Sequence, residues 1–217
     1  MATLEPMADF FAARVDSYDE HMINNVEGCK EGYTKMAELI PTDAKSLLDL
    51  GCGTGLELDH ILARLPHLSV TGIDLSETML KKLMEKHPES SLNLICGDYF
   101  STDMGVKYYD TAVSFESLHH FTAEKKLPLY KRIFDALTEN GIYIECDYMV
   151  ETQEEEELYM AENARLRKEQ NIPLDAFYHY DTPLTVDNQI ALLREAGFTK
   201  IEKIFRIGGT VMLTATK

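Results

Sequence analysis

The sequence predicts an α/β fold in which a doubly wound, mostly parallel sheet of seven strands ends in an antiparallel strand. From Lys45 onward, short apolar runs rich in β-branched residues alternate with longer segments of helical periodicity, which is typical of βαβ units. The chain closes with two strand-like runs that are separated only by residues 206–209. So short a link requires an antiparallel hairpin, because a parallel crossover needs about a dozen residues or more.

The predicted elements follow one another in a regular order. The first forty-odd residues have helical patterns that carry aromatic side chains. The strands are predicted at 46–50, 69–73, 92–96, 111–115, 142–146, 199–205 and 210–216. The helices between them are predicted near 56–65, 76–86, 122–138 and 185–196. The segment 149–183 stands outside the alternation and combines a charged helix, from about 154 to 170, with the aromatic stretch 177–180.

The chain shows no internal repeat, no flexible linker and no other mark of a domain boundary. We therefore expect a single domain over residues 1–217. Its sheet and flanking helices would occupy 45–148 and 184–217, with a helical N-terminal cover at 1–44 and an insertion at 149–183. Because extra segments at the strand ends of a doubly wound sheet are natural covers for a site, we expect this insertion to cover the substrate.

The composition excludes several classes of protein. Of the 217 residues, 45% are hydrophobic and 27% are charged, so we expect a packed core. The formal net charge of -16 repels nucleic-acid phosphates and anionic lipid. No stretch approaches the roughly 18 apolar residues of a membrane span, and the N-terminus lacks the pattern of a signal peptide. We therefore expect neither a nucleic-acid partner nor a membrane.

The four cysteines indicate a reducing compartment. Cys29, Cys52, Cys96 and Cys146 lie far apart, form no C-x-x-C pair and have no spacing typical of zinc ligands. We therefore predict a cytoplasmic protein and assign no metal ligands.

The strongest local feature is a glycine-rich turn between the first strand and its helix. Gly51, Gly53 and Gly55 alternate directly after the strand, which lets backbone and ligand approach closely. A dinucleotide site of the type G-x-G-x-x-G would need its third glycine at position 56, which is Leu56. A phosphate loop would need a Gly-Lys-Ser/Thr ending, and the turn has none. The turn therefore fits a ligand without phosphate.

Every parallel strand delivers a carboxylate at or near its carboxyl end. Asp74 follows the second strand, in the place typical of an acid that chelates two ribose hydroxyls. The other acids of this kind are Asp98, Glu116, Glu145 and Asp147. Ligands of open α/β sheets bind at this edge, so the ligand should be cationic or rich in hydroxyl and amine donors. S-adenosylmethionine, with its sulfonium, ammonium, ribose diol and adenine amine, fits that description.

At this point the sequence resembles the class I S-adenosylmethionine-dependent methyltransferases. The motifs that carry the resemblance are Asp49-x-Gly51-x-Gly53-x-Gly55, Gly72-Ile73-Asp74-Leu75-Ser76, Gly97-Asp98 and Ser117-Leu118-His119-His120-Phe121. They occur in the family's order, and the resemblance extends over roughly 45–217. It implies a Rossmann-like sheet with an antiparallel last strand. It also implies S-adenosylmethionine as the cofactor and S-adenosylhomocysteine as its product.

The resemblance also implies roles for individual residues. Asp74 would bind the ribose diol, Asp98 the adenine amine, and Asp49 would lie near the ammonium group. Glu116, at the tip of the fourth strand, would face the departing methyl group. The residues assigned in this way to the cofactor are Tyr18, Asp49, Gly51, Cys52, Gly53, Gly55, Asp74, Leu75, Asp98, Tyr99 and Glu116.

The acceptor is predicted to be a small molecule. Family members that methylate exocyclic amines of bases or glutamine carry an Asn/Asp-Pro-Pro-aromatic motif after the fourth strand, whereas this chain has Phe115-Glu116-Ser117-Leu118. The following Leu-His-His resembles members that act on small molecules. We assign Glu116 and His120 to catalysis, as candidates for a general base, and we assign Glu145, Asp147, Tyr178 and His179 to the substrate.

Several alternatives stay open at this stage. Asp74 would also suit a helix start, and Asp98 would suit a turn cap. Of His119 and His120, we expect at most one to face the cavity, because adjacent side chains point in different directions. The chain could also act on RNA or protein with a partner, or bind the cofactor without catalysis. In another alternative, Glu145, Asp147 and His179 gather with Glu116 and with either His119 or His120 around a metal ion.

Overall fold

The computed structural model describes residues 3–217 and contains a seven-stranded sheet flanked by helices. The strands are β1 (Ser46–Leu50), β2 (Ser69–Asp74), β3 (Leu92–Cys96), β4 (Tyr109–Phe115), β5 (Leu137–Tyr148), β6 (Thr199–Ile207) and β7 (Thr210–Thr216). The helices are α1 (Met7–Ala12), α2 (Val15–Asn25), α3 (Cys29–Leu39), α4 (Leu56–Arg64), α5 (Glu77–Lys86), α6 (Ala123–Ala136), α7 (Gln153–Glu169) and α8 (Val186–Ala196). No helix within residues 3–217 is long and apolar enough to span a membrane.

The sheet confirms the predicted fold class. Its strand order is β3-β2-β1-β4-β5-β7-β6, and the strands from β3 to β5 pair in parallel. β7 runs antiparallel between β5 and β6, as the short link at 206–209 predicted. The chain leaves β1 toward β2 on one side and later returns to β4 on the other side. The carboxyl ends of β1 and β4 therefore form the switch point at which ligands of such sheets bind.

Local sequence signals account for most helix boundaries. α5 begins after Ser76, whose hydroxyl accepts a hydrogen bond from the backbone N–H of Met79. α7 begins with a capping box in which Thr152 and Glu155 each accept from the other's backbone N–H. The boundary between α6 and β5 differs from the prediction of a helix to 138. α6 ends at Ala136 and β5 begins at once, because Leu137 pairs with Tyr109 before an irregular turn restores the register.

The hydrophobic core lies on both faces of the sheet. Along β1, Leu48 and Leu50 point to one face, while Leu47 points to the other, as the alternation of strand side chains requires. The first face packs beneath α6 and α8, around Tyr130 and Tyr143. The second packs beneath α3 and α4. Because β1 is buried on both faces, its tip is held rigidly where the glycine turn begins.

The N-terminal segment and the insertion are joined over the strand ends. The backbone N–H of Met7 donates to the carbonyl of Phe177 at 3.0 Å, and that of His179 donates to the carbonyl of Glu5 at 2.9 Å. Pro6 and Tyr178 thus form an isolated antiparallel bridge. We call this pairing of residues 5–7 with residues 177–179 the clasp. It ties α1 to the chain that follows α7.

Candidate active site

The glycine turn is fastened to the tip of β2 through Asp74. One carboxylate oxygen of Asp74 accepts from the backbone N–H of Gly53 at 2.9 Å, and the other accepts from that of Ser76 at 2.8 Å. Gly51 has a φ of 74°, and a Cβ there would lie 2.0 Å from the hydroxyl oxygen of Ser117. The turn therefore requires glycine at this position, both for its left-handed backbone and for its contact with the segment after β4.

A small cavity of about 50 Å³ lies against this turn. Its floor is formed by the turn and the tips of β2 and β4, and its roof by Met7 and Phe11 of α1. It brings together seven of the residues assigned to the cofactor: Tyr18, Gly51, Gly53, Asp74, Leu75, Tyr99 and Glu116. A carboxylate, bare backbone and an aromatic ring in one recess suit the ribose, methionine and adenine parts of S-adenosylmethionine.

The other four residues assigned to the cofactor lie outside the lining of this cavity. Cys52 is 1% exposed and packs in the core with its sulfur beside Gly72. Gly55 caps the start of α4 and packs against Leu83. Asp98 accepts from the backbone N–H of Phe100 at 2.7 Å, which is the turn cap that the sequence left open.

The fourth of these residues, Asp49, is paired with a second acid beneath the glycine turn. Asp49 and Glu57 are both buried, and neither oxygen of Asp49 has a hydrogen-bond donor among the described residues. Burial raises the pKa of Asp49 well above its ordinary value, and the neighbouring Glu57 raises it further. Burial also raises the pKa of Glu57 to about 7. Because burial favours the neutral acids, we expect this pair of carboxyl groups to hold a proton at neutral pH.

A larger cavity of about 970 Å³ adjoins the small one. It lies between α1 and α2 on one side and the chain after β4, the end of β5 and the insertion on the other. Phe10 in its wall stacks on His179 with the ring centroids 3.5 Å apart. Four residues line both cavities: Phe11, Tyr18, Glu116 and His120. A ligand in one cavity therefore meets a ligand in the other at these four side chains.

Glu116 stands at this junction in a strained backbone conformation. Its φ is 45°, which is uncommon for a residue with a side chain, and its backbone N–H donates to the carbonyl of Cys146 at 2.8 Å. The hydroxyl of Thr210 donates to its carboxylate at 3.0 Å. Burial raises the pKa of Glu116 to about 7, although the neighbouring His119 opposes the rise. A carboxyl group with this pKa can accept a proton near neutral pH.

Both histidines of the pair line the larger cavity, so the expectation that at most one would face it was wrong. The reason is local, because residues 116–121 form a turn rather than a strand or a helix, with the backbone N–H of Phe121 donating to the carbonyl of Leu118. In such a turn, neighbouring side chains can point into the same space.

The two rings differ in charge. Nδ1 of His119 lies 2.5 Å from Oδ1 of Asp147, whose other oxygen accepts from the backbone N–H of Leu118 at 2.9 Å. Burial alone would lower the pKa of His119, but Asp147 and Glu116 raise it to about 9. Burial and the charge of His119 lower the pKa of His120 to about 4. At neutral pH His119 is therefore cationic and His120 is neutral.

Asp181 completes this cluster and was missed by the sequence analysis. Its Oδ1 lies 3.2 Å from Nδ1 of His120 and 3.5 Å from Nε2 of His119. The close approach of His120 and the charge of His119 lower the pKa of Asp181 despite its burial. The one signal for it was its position two residues after His179, within the aromatic insertion.

Three residues assigned to the substrate lie away from both cavities. Glu145 is fully buried beneath α6 and α8, where it accepts from Tyr130 at 3.0 Å and from Gln189 at 2.8 Å. Tyr178 lies in the clasp. Asp147 is 1% exposed and reaches the larger cavity only through His119. His179 does line that cavity. Strand alternation explains Glu145, because its side chain points to the face opposite Cys146.

The chain is similar in sequence to a methyltransferase domain and to enzymes whose names refer to S-adenosylmethionine. Residues 47–141 match the model of a family described as a methyltransferase domain. Carboxy-S-adenosyl-L-methionine synthase from Nautilia profundicola is 23% identical over 94% of this chain and 92% of its own length.

Solved structures show the same fold. Human N-acetylserotonin methyltransferase in complex with S-adenosylmethionine has a TM-score of 0.66 at 16% identity, over 98% of this chain and 60% of its own. An O-methyltransferase family 2 protein from Planctomyces limnophilus, in complex with apigenin, has a TM-score of 0.69 at 15% identity, over 98% of this chain and 62% of its own. The chain thus spans about three fifths of these two structures.

Proposed function

We propose that this chain, which belongs by its domain and fold to the class I S-adenosylmethionine-dependent methyltransferases, methylates a small molecule held in the larger cavity. The observation that carries the proposal is the junction of the two cavities. The small cavity offers groups that suit the cofactor, and the larger one adjoins it at Tyr18, Glu116 and His120. A methyl group that leaves the cofactor site would cross at these side chains.

The chain's own residues would contribute alignment and a proton acceptor. Bound S-adenosylmethionine supplies a methyl group that its sulfonium charge already activates. In-line transfer then depends on holding the acceptor atom close to the methyl carbon and excluding water, for which Phe11 and Tyr18 supply the wall. The acceptor's lone pair forms the new bond to carbon as the carbon–sulfur bond breaks, and its electrons remain on sulfur. Where the acceptor carries a proton, Glu116 receives it.

The charges of the larger cavity narrow the class of acceptor. Four acidic residues line it, namely Glu20, Glu27, Glu116 and Asp181, and the cationic His119 lies against two of them, Glu116 and Asp181. Within the described part of the chain, Arg14 is the one lysine or arginine in the lining, and Glu5 pairs with it at 3.3 Å. Such a wall disfavours an acceptor that bears phosphate and suits one with hydroxyl or amine groups. A phosphate-rich RNA acceptor is disfavoured for the same reason.

Thermal unfolding with added ligands tests the cofactor half of the proposal. We expect S-adenosylmethionine and S-adenosylhomocysteine to raise the melting temperature and NAD to leave it unchanged. Asp74→Asn should lose most of this rise, because the carboxylate that faces the ribose is gone. Asp103→Asn is the matched control, because Asp103 is exposed and also accepts from the backbone N–H two residues ahead. Stabilisation by NAD alone would refute the proposal.

A screen of small molecules with hydroxyl or amine groups tests the second part of the proposal, that the chain methylates a small-molecule acceptor. We expect S-adenosylhomocysteine to form together with a methylated acceptor, as measured by mass spectrometry. The relative from Nautilia profundicola gives the screen a second defined outcome. If, with a carboxylic acid added as the carboxyl donor, the cofactor itself gains a carboxyl group and no acceptor is methylated, the chain has the activity that the relative's name states, and the methyl-transfer proposal is refuted.

A further inference from the structure

Three potential metal ligands converge at the wall of the larger cavity, and one of them, His120, also lines the small cavity. They are Nε2 of His119, Nδ1 of His120 and Oδ1 of Asp181, and they come from two different segments of the chain. Asp181 lies 3.5 Å from the first of these nitrogens and 3.2 Å from the second. The two histidines are buried, whereas the side chain of Asp181 is 38% exposed toward the cavity.

These separations are the ones that a tetrahedral ion requires. With metal–ligand bonds of about 2.0–2.1 Å, two ligand atoms of a tetrahedral Zn²⁺ lie about 3.3 Å apart. Both distances to Asp181 agree with this value. A second grouping, of Glu116, His119 and Asp147, does not agree with it. There, Nδ1 of His119 and Oδ1 of Asp147 are only 2.5 Å apart, which is a hydrogen bond and too close for two ligands of one ion.

That short hydrogen bond instead orients His119 as metal ligands are oriented. With Nδ1 bonded to Asp147, the ring turns Nε2 toward Asp181 and the cavity. Asp147 is itself held by the backbone N–H of Leu118. A histidine that ligates a metal almost always has its other ring nitrogen bonded to a carboxylate, a carbonyl or water in this way.

An independent observation concerns His120. Its side chain is more than nine-tenths buried, and Nδ1 makes no hydrogen bond of acceptable geometry among the described residues. The oxygen of Asp181 is near enough for one, but it lies off the direction of the ring nitrogen. A buried polar nitrogen without a partner is costly, and a cation between these two atoms would satisfy both of them.

We propose that His119, His120 and Asp181 bind a divalent transition-metal ion such as Zn²⁺, with its remaining position open to the larger cavity. Two imidazoles and one carboxylate are a donor set typical of zinc and its neighbours in the first transition row, and the ion would displace the proton that His119 otherwise holds on Nε2. The site itself does not depend on methyl transfer. Its use does rest on the function proposed above: the open position would bind the acceptor's hydroxyl oxygen, lower its pKa and direct its proton to Glu116 before the oxygen attacks the methyl carbon.

Metal binding is measured directly, with Zn²⁺ by calorimetry and with Co²⁺ by the visible absorption of a tetrahedral complex, on protein purified without a metal-binding tag. We expect one equivalent to bind. His120→Gln and Asp181→Asn should each weaken binding at least tenfold, and Asp147→Asn should weaken it about 10- to 100-fold through the orientation of His119. His60→Gln is the matched control, because His60 is exposed on α4 and far from the site.

Thermal stabilisation by S-adenosylhomocysteine, measured on the same variants, shows that they are folded and separates the two proposals. The metal site is refuted if wild-type protein binds no stoichiometric Zn²⁺ or Co²⁺, or if the ligand variants bind as tightly as His60→Gln. If the protein methylates its acceptor equally well after the metal is removed, the proposed use of the metal in methyl transfer is refuted, whereas metal binding itself and the proposed function are not. If the wild-type protein binds the metal, the ligand variants bind it more weakly than His60→Gln does, and no acceptor is methylated, the proposed function is refuted and the metal site is supported.

Discussion

At the scale of single residues, Gly51 shows how the backbone fixes the identity of a residue in the turn. An alanine there would adopt a left-handed conformation and would also meet both side-chain atoms of Ser117, at 2.0 and 2.8 Å. Gly105 offers the matched comparison, since its φ of 71° is nearly the same as the 74° of Gly51 and no atom lies within 4 Å of an added Cβ.

We therefore expect the two alanine variants to differ in stability. Gly105→Ala should lower the free energy of unfolding by about 1 kcal/mol, from backbone strain alone. Gly51→Ala should lower it by roughly 3 kcal/mol, because overpacking adds to the strain, and it should no longer be stabilised by S-adenosylhomocysteine. Chemical denaturation measures both. Equal losses would show that the contact with Ser117 is not what requires glycine.

The carboxyl pair beneath the turn should make stability depend on pH. The pKa of Glu57 is raised to about 7 in the folded chain, so the folded state holds a proton that the unfolded state has released. The slope of the free energy of unfolding against pH is therefore negative. As pH rises from about 5 to 8, this pair should lower the free energy of unfolding by roughly 2 kcal/mol.

Glu57→Gln should remove most of that fall, because its amide can donate to Asp49 at every pH. Denaturant unfolding at several pH values measures the effect. Glu85→Gln changes an exposed side chain and is the control, because its stability should depend on pH as that of the wild-type protein does. A wild-type stability that rises over this interval would contradict the assignment of a proton to this pair.

The sequence predicted some site residues and misplaced others for a physical reason. Asp74 ends β2 and Glu116 directly follows β4, so their places at the sheet edge follow from strand register. His119 and His120 lie in an irregular turn, where side-chain directions depend on backbone angles that no periodicity reports. Glu145 was misplaced because its strand continues to Tyr148, which puts Glu145 within the sheet rather than at its tip.

At the scale of elements, the sheet could be predicted well, whereas the arrangement of the N-terminal helices and the insertion over the strand ends could not. Alternating apolar runs and a short final link determine strand order and direction, because parallel crossovers leave few choices. The clasp is made of backbone hydrogen bonds between residues at least 170 positions apart, and such bonds leave no trace in side-chain patterns. The same holds for Asp181, which reaches the histidines only because the clasp holds the insertion over the strand ends.

The clasp has a testable role in cofactor entry. A cavity of about 50 Å³ is too small for a nucleoside, and because α1 forms its roof, we expect α1 to move away from the strand ends as the cofactor enters. We expect the amides of Met7 and His179 to exchange their hydrogens at the same rate, since one opening breaks both hydrogen bonds. S-adenosylhomocysteine should slow both.

Hydrogen exchange followed by mass spectrometry or NMR checks this expectation. The amide of Lys217, which donates to the carbonyl of Gly141 at the opposite end of the sheet, is the internal control and should be unaffected. Independent exchange of the two clasp amides would mean that α1 and the insertion open separately.

At the scale of the whole molecule, the net charge of -16 divides into two populations. One consists of buried or cavity-lining acids, among them Asp74, Glu116 and Asp147, whose surroundings set their protonation. The other lies on exposed helix surfaces, such as the first turn of α7, where acids suit the helix dipole. Composition predicts the total but not this division, since only the folded chain determines which acids meet a partner.

The shared wall between the two cavities has a kinetic consequence. Because Phe11, Tyr18, Glu116 and His120 line both cavities, we expect an acceptor that sits at Glu116 and His120 to block entry from the larger cavity to the glycine turn. Binding would then be compulsory in order, with the cofactor first and the acceptor second. The spent nucleoside would leave last, so its release, rather than the transfer itself, would set the turnover rate.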